Sequence, residues 1–280
     1  MKRACAFSAV LFAALALPPA ALAAELPEWE AGLGATVLSV PDYRGADQGK
    51  VYILPVPYLI YRGEALKVDR GSVRGIFFTS ERVEVDTSFN GSPPARSGQN
   101  GARQGMPDLD SVLEFGPSVK LTLAETPDAF FKGQLQLPLR AVIASDFSYF
   151  RYTGFIFNPR LNFDWGRARP DRRWSAGFAL GPVFGDTRNY RYYYEVPLLY
   201  ASSARPAYTP HGGYGGTQLA LSASGRTGNI WVGAFARIDS LHGARFEDSP
   251  LVKTRWSFTA GLALSWVFGA SDVMVRTDEW

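Results

Sequence analysis

The chain has 280 residues, with 29 Lys and Arg against 26 Asp and Glu, a formal charge of +3. Two of the basic residues, Lys2 and Arg3, lie in an N-terminal leader, so the remainder is close to neutral and gives no reason to invoke nucleic acid. The only cysteine, Cys5, lies there too, which excludes a disulfide, a thiolate metal site and a cysteine nucleophile from the mature chain.

Residues 1–23 read as a secretory signal peptide. Lys2 and Arg3 form the basic start, and residues 6–17 an apolar stretch too short to span a bilayer as a helix. Pro18 and Pro19 break it, and Ala21-Leu22-Ala23 supplies a small-x-small cleavage pattern, with the cut after Ala23. Cys5 precedes the apolar stretch and so cannot be the lipidated first residue of a lipoprotein.

Beyond the leader the dominant signal has period two, that of a strand whose side chains point to opposite faces. In chain order it runs through residues 29–38 and 51–61, weakly through 64–70 and 73–79, and again through 82–89. It is clearest in the middle. From 113 to 123, Leu113, Phe115, Val119 and Leu121 oppose Glu114, Ser118 and Lys120. From 131 to 143, Leu135, Leu137 and Leu139 oppose Lys132, Gln136 and Arg140. From 155 to 165, Phe155, Phe157, Leu161 and Phe163 oppose Arg160, Asn162 and Asp164. Further alternating stretches cover 174–184, 217–224, 229–239 and 256–268.

No stretch of the mature chain reads as a membrane-spanning helix, which needs about 20 apolar residues. Several strands are instead long enough to cross at the roughly 9–11 residues a tilted strand needs, and large aromatics sit at their ends, where interfacial girdles fall. The fold class expected is all-β: a transmembrane antiparallel up-and-down β-barrel of about 12 strands over residues 24–268. Long connections at 41–50, 88–110, 144–154, 185–216 and 240–254 alternate with short ones at 62–63, 124–129, 167–172 and 225–228. The count closes at twelve, with both termini in the periplasm, if 64–89 makes three short strands and 185–216 is one excursion. Residues 269–280, with Asp272, Arg276, Asp278 and Glu279, read as a polar C-terminal tail beyond the barrel.

Nothing in the sequence assigns a catalytic, cofactor or metal residue. His211 and His242 are the only histidines, and both fall in loops; a lipid-cleaving barrel would need one of them beside a serine at the rim, and Ser240 has no supporting motif. His211-Gly212-Gly213-Tyr214-Gly215-Gly216 lacks the Lys-Ser/Thr of a nucleotide loop, and the acids lack calcium-loop spacing. Arg167, Arg169, Arg172 and Arg173 around Asp171 either solvate a short turn or meet an acidic partner. Tyr190, Tyr192, Tyr193 and Tyr194 can line a lumen, plug it, form a contact surface or join an interfacial girdle.

Four stretches in order resemble the MipA/OmpV family of outer-membrane proteins. They are Gly32-Leu33-Gly34 with Val40-Pro41-Asp42-Tyr43-Arg44-Gly45 and Leu54-Pro55-Val56-Pro57-Tyr58; Asn189-Tyr190-Arg191-Tyr192-Tyr193-Tyr194-Glu195-Val196; Tyr208-Thr209-Pro210-His211-Gly212-Gly213; and Asp248-Ser249-Pro250-Leu251-Val252. Glu195 stands where the family often has Gly. The resemblance implies a non-catalytic barrel among outer-membrane lipids, a scaffold joining a lytic transglycosylase to a bifunctional penicillin-binding protein at the murein. The residues leave open a small-solute pore lined by Lys120, Lys132, Arg140, Arg160 and Asp164, and, further off, a lipid hydrolase using His211 or His242. A lumen plugged by 185–216 favours the scaffold; an open water path favours the pore.

Overall fold

The computed structural model describes residues 24–63, 66–69, 72–169 and 172–277. The signal peptide expected at 1–23 lies outside the described residues. Fifteen strands follow in order among those described. They are β1 (Ala24–Pro27), β2 (Trp29–Pro41), β3 (Gly49–Arg62), β4 (Leu66–Asp69), β5 (Ser72–Thr79), β6 (Val83–Ser92), β7 (Ser111–Glu125), β8 (Phe131–Ser145), β9 (Phe150–Phe157), β10 (Arg160–Ala168), β11 (Arg172–Gly185), β12 (Gly213–Thr227), β13 (Ile230–Ser240), β14 (Trp256–Ala270) and β15 (Met274–Thr277). One α-helix, α1 (Thr187–Tyr194), lies in the connection between β11 and β12.

Strands β2 to β14 close into a twelve-stranded antiparallel barrel. Two of them share one place in the wall. Strand β8 pairs with β9 from Ser145↔Phe150 to Leu139↔Phe157, then with β10 from Gln136↔Arg160 to Phe131↔Trp165. The break falls at Asn158-Pro159, where proline brings no N–H to the ladder. The Asn158 side chain offsets this by donating to the Pro182 carbonyl of β11 at 2.9 Å. The residues read as one strand over 155–165 are therefore one wall strand that begins earlier, at Phe150.

Residues 64–89 do hold three short strands, β4, β5 and the start of β6, and the connection between β11 and β12 is a single excursion. Twelve is an even number, so both ends of the chain lie at one end of the barrel, here the terminal end. The opposite, loop end carries the long connections. Segment 269–277 does more than trail away: β15 pairs antiparallel with β1, from Ala24↔Thr277 to Pro27↔Met274, as a two-stranded ribbon beyond the wall.

The alternation sorts the side chains as the pattern requires. Leu33, Val37, Leu113, Phe258, Leu262 and Trp266 face outward and are exposed, forming an apolar belt suited to hydrocarbon. Their neighbours Ser118, Lys120, Gln136 and Arg140 face the lumen and are buried there.

The wall is not uniform. Among the described residues β4 reaches β3 only at Tyr61↔Val68 and Arg62↔Lys67, and β5 reaches β6 only at Ile76↔Asp86, Phe78↔Val85 and Thr79↔Glu84. The loop-end halves of β3 and β6 thus border a notch. The Arg62 N–H donates to the Glu28 carbonyl, so the even residues of β3 bond β2 and the odd ones turn their backbone toward the notch. Pro55 and Pro57 occupy odd positions. They remove no bond from the β2–β3 ladder, but they would deny two donors to any strand pairing on the other side.

Candidate functional site: a lumen closed at both ends

The loop end is stopped by a folded lid. Asp186 caps α1, its side chain accepting from the Asn189 N–H at 2.8 Å, which starts a helix in a tyrosine-rich segment. The helix turns Tyr190 and Tyr194 onto Phe246 from the β13–β14 loop; the Tyr194 and Phe246 rings stack with centroids 3.7 Å apart, and Tyr190 meets Phe246 edge-on at 4.6 Å. Around these rings pack Tyr43, Met106, Leu109, Val196, Leu241 and Leu251, drawn from four loops.

Four tyrosine hydroxyls in this lid have backbone partners. Tyr43 donates to Leu251 O at 2.7 Å, Tyr190 to Gly213 O and Tyr194 to Arg44 O, both at 2.9 Å. Tyr192 accepts from the Asp110 N–H at 2.8 Å. Burial disfavours the phenolate, which raises the Tyr190 and Tyr192 hydroxyls to about 12 and those of Tyr43, Tyr193 and Tyr194 further. These hydroxyls therefore stay neutral, those of Tyr43, Tyr190 and Tyr194 donating and that of Tyr192 accepting. Arg205 stitches the lid laterally, donating to Ala102 O at 3.1 Å and Gln104 O at 2.9 Å.

At the terminal end the closure is ionic. Glu30 of β2, wholly buried, accepts from Arg62 of β3 at 3.2 Å and Tyr58 at 3.3 Å, pairs with Arg173 of β11 at 2.7 Å, and is bound by Arg226 of β12. Side chains from two separate pairs of neighbouring strands, β2 with β3 and β11 with β12, meet on one carboxylate. Arg62 also donates to Pro27 O at 2.6 Å, tying the lock to the β1–β15 ribbon, whose Leu26 is buried beneath it.

Between these closures the charged residues expected to line a pore mostly have partners of their own. Lys120 binds Asp86 at 2.6 Å and Glu84 at 2.8 Å, and Arg140 binds Glu114 at 2.9 Å. Arg160 forks onto the Gln136 side-chain oxygen at 2.8 and 3.0 Å, and Lys132 reaches Glu125 at 3.7 Å. A cavity of about 260 Å³ remains under the lid, with Leu38, Val40, Ile156, Val183, Asn189 and Tyr193 among its walls.

The other residues singled out in the sequence part company. His211 and His242 are both exposed, His242 against the Trp256 ring edge, and neither side chain bonds a serine or an acid among the described residues. Of the four arginines at the β10–β11 turn, Arg173 points into the lumen onto Glu30. Arg167 stays outside, half-exposed, on Asp128 at 3.1 Å and over the Phe130 ring. The tyrosine segment forms part of the core of the lid. Sequence reasoning missed Glu30 and Phe246; the one available signal for Glu30 was an acid on the inward face of an otherwise apolar strand.

A closed β-barrel with a lipid-suited belt carries an aromatic lid at one end and a cluster of arginines on Glu30 at the other. The family described as MltA-interacting protein MipA matches residues 33–268, and the chain belongs to it. No curated protein matches the chain. Among solved structures, one from work on the asymmetric conductivity of engineered proteins is similar at 10% identity, covering 86% of this chain and 100% of its own, with a TM-score of 0.15. A double mutant of the Rh. blastica porin is similar at 9% identity with the same coverage and a TM-score of 0.15. At those scores neither adds to the description of the fold.

Proposed function

We propose that this protein is exported by its signal peptide, residues 1–23, to the Gram-negative outer membrane. There it acts as a non-catalytic scaffold that brings a lytic transglycosylase together with a bifunctional penicillin-binding protein. The observation that carries this reading is the double closure: a barrel with the tyrosine lid at one end and the Glu30 lock at the other is poorly built to pass solutes. Membership of a family named for interaction with MltA, a lytic transglycosylase, supports the first partner. The terminal end then faces the periplasm and offers the β1–β15 ribbon and the short turns, including Arg167 and Arg172, to a wall enzyme. In this reading the barrel expected over residues 24–268 is the wall from β2 to β14, and the segment after Ala270 lies in the periplasm outside it.

The test is a pull-down from outer membranes in mild detergent, with single-channel recording of the same purified protein. Recovery of a lytic transglycosylase or penicillin-binding protein from an electrically silent barrel is the expected result. Steady conductance with no wall enzyme recovered would replace the scaffold with a pore.

A further inference from the structure

The notch between β3 and β6 opens the wall beside the cavity under the lid. Asn90, Gly91, Ser92 and Pro93, at the loop end of β6, form one side of that cavity, and Leu38 and Val40 of β2, the strand next to β3, form another. Leu54 and Asn90 point inward yet are exposed, so the lumen at this height is hollow rather than packed. Outside, the notch is flanked by exposed Val51, Ile53, Leu59 and Phe89. An unpaired strand edge at membrane depth is tolerated only where it lines a cavity or is covered by protein, because hydrocarbon cannot satisfy its polar groups. Pro55 and Pro57 blunt the edge against a pairing strand, which argues against a second copy adding itself there.

With the aromatic lid over one end and the Glu30 cluster at the other, the notch among the described residues offers a lateral way into the cavity. The cavity's charges are already answered from within: Arg140 by Glu114, and Arg44 and Arg237 by Asp239 at 3.0 and 3.1 Å. One group is not. The Asn189 side-chain nitrogen, in a residue only 2% exposed on the cavity wall, has no hydrogen-bond partner among the described residues. A buried amide N–H left without an acceptor is costly, so the site favours an oxygen.

We propose that this cavity is a binding site for a small uncharged, bilayer-soluble molecule bearing a carbonyl or hydroxyl oxygen, which arrives from the membrane through the notch and accepts from Asn189 Nδ2. The occupant is small, because about 260 Å³ falls just below the usual range of ligand pockets. The proposal goes beyond the scaffold reading and stands or falls separately from it.

The test uses the mature protein in lipid nanodiscs with prodan, a neutral naphthyl ketone whose emission shifts blue in apolar surroundings. Saturable binding beyond that of empty nanodiscs is expected. Asn189→Leu should weaken it about tenfold, the scale of one hydrogen bond, and Val183→Trp should abolish it by filling the cavity, both variants first being shown to migrate as folded barrels. No saturable component, or one that Val183→Trp leaves intact, would overturn the site. The route is read from a nitroxide at Leu54→Cys in a chain whose mature part has no other cysteine. Greater relaxation by oxygen than by a water-soluble nickel chelate is expected. A label shielded from both, as by a second copy on the β3 edge, or relaxed by nickel alone, would overturn the lateral route.

Discussion

At the loop end the lumen is stopped by rings, Tyr190 and Tyr194 packed on Phe246 with their hydroxyls given to backbone carbonyls; at the terminal end it is stopped by one carboxylate held by three guanidiniums. The lid is made from loops and a helix, so its contacts can break without touching a strand ladder. The lock joins side chains of β2, β3, β11 and β12, so its partners are held in register by the wall itself. One closure is separable from the barrel, and the other is part of it.

The largest effect should come from the lock. Glu30→Leu leaves three buried cations without a counter-charge, a change expected to cost about 3–5 kcal/mol. It should appear as a lower denaturant midpoint for the whole barrel, read by the heat-modifiable gel shift. Phe246→Ala should cost a similar ~3–4 kcal/mol, but locally. Amide exchange should rise across α1 and the β13–β14 loop while the gel shift stays put, and a global loss would erase the distinction between the two ends.

Alkali should divide the ends again. Tyr190 and Tyr192 keep their protons to about 12 when buried, whereas an exposed tyrosine ionises near 10. Between those values the closed lid binds more protons than the opened one, so its stability, complete below about pH 10, falls as pH rises toward 12. Phenolate absorbance should show a late-titrating set whose ionisation coincides with loss of α1 protection. Early titration of all the tyrosines would mean that the lid is not packed. The smallest effect is the cap: Asp186→Ala should cost about 1 kcal/mol, seen as faster exchange at the Asn189 amide alone.

The strands were legible because period two is a local property. Leu113 to Leu123 and Trp256 to Phe268 announce their two faces without knowing their neighbours, and turn lengths then supplied the order and the even count. The lid was half legible. Four tyrosines in five residues marked the segment as special, but a girdle, a lining and a plug need the same residues, and only the partner Phe246, more than fifty positions away, selects among them.

The sequence by itself determined the class of fold and which side chains face lipid, because alternation along a strand dictates both, and the lengths of the connections gave the direction of each strand. Tertiary structure decided that Glu30 meets Arg62, Arg173 and Arg226, that the tail after β14 returns to pair with β1, and that β4 and β5 stop short to leave a notch beside Pro55 and Pro57. Those outcomes depend on which strands close the ring and at what register. Closure is a long-range event, and no residue records it in its immediate neighbours.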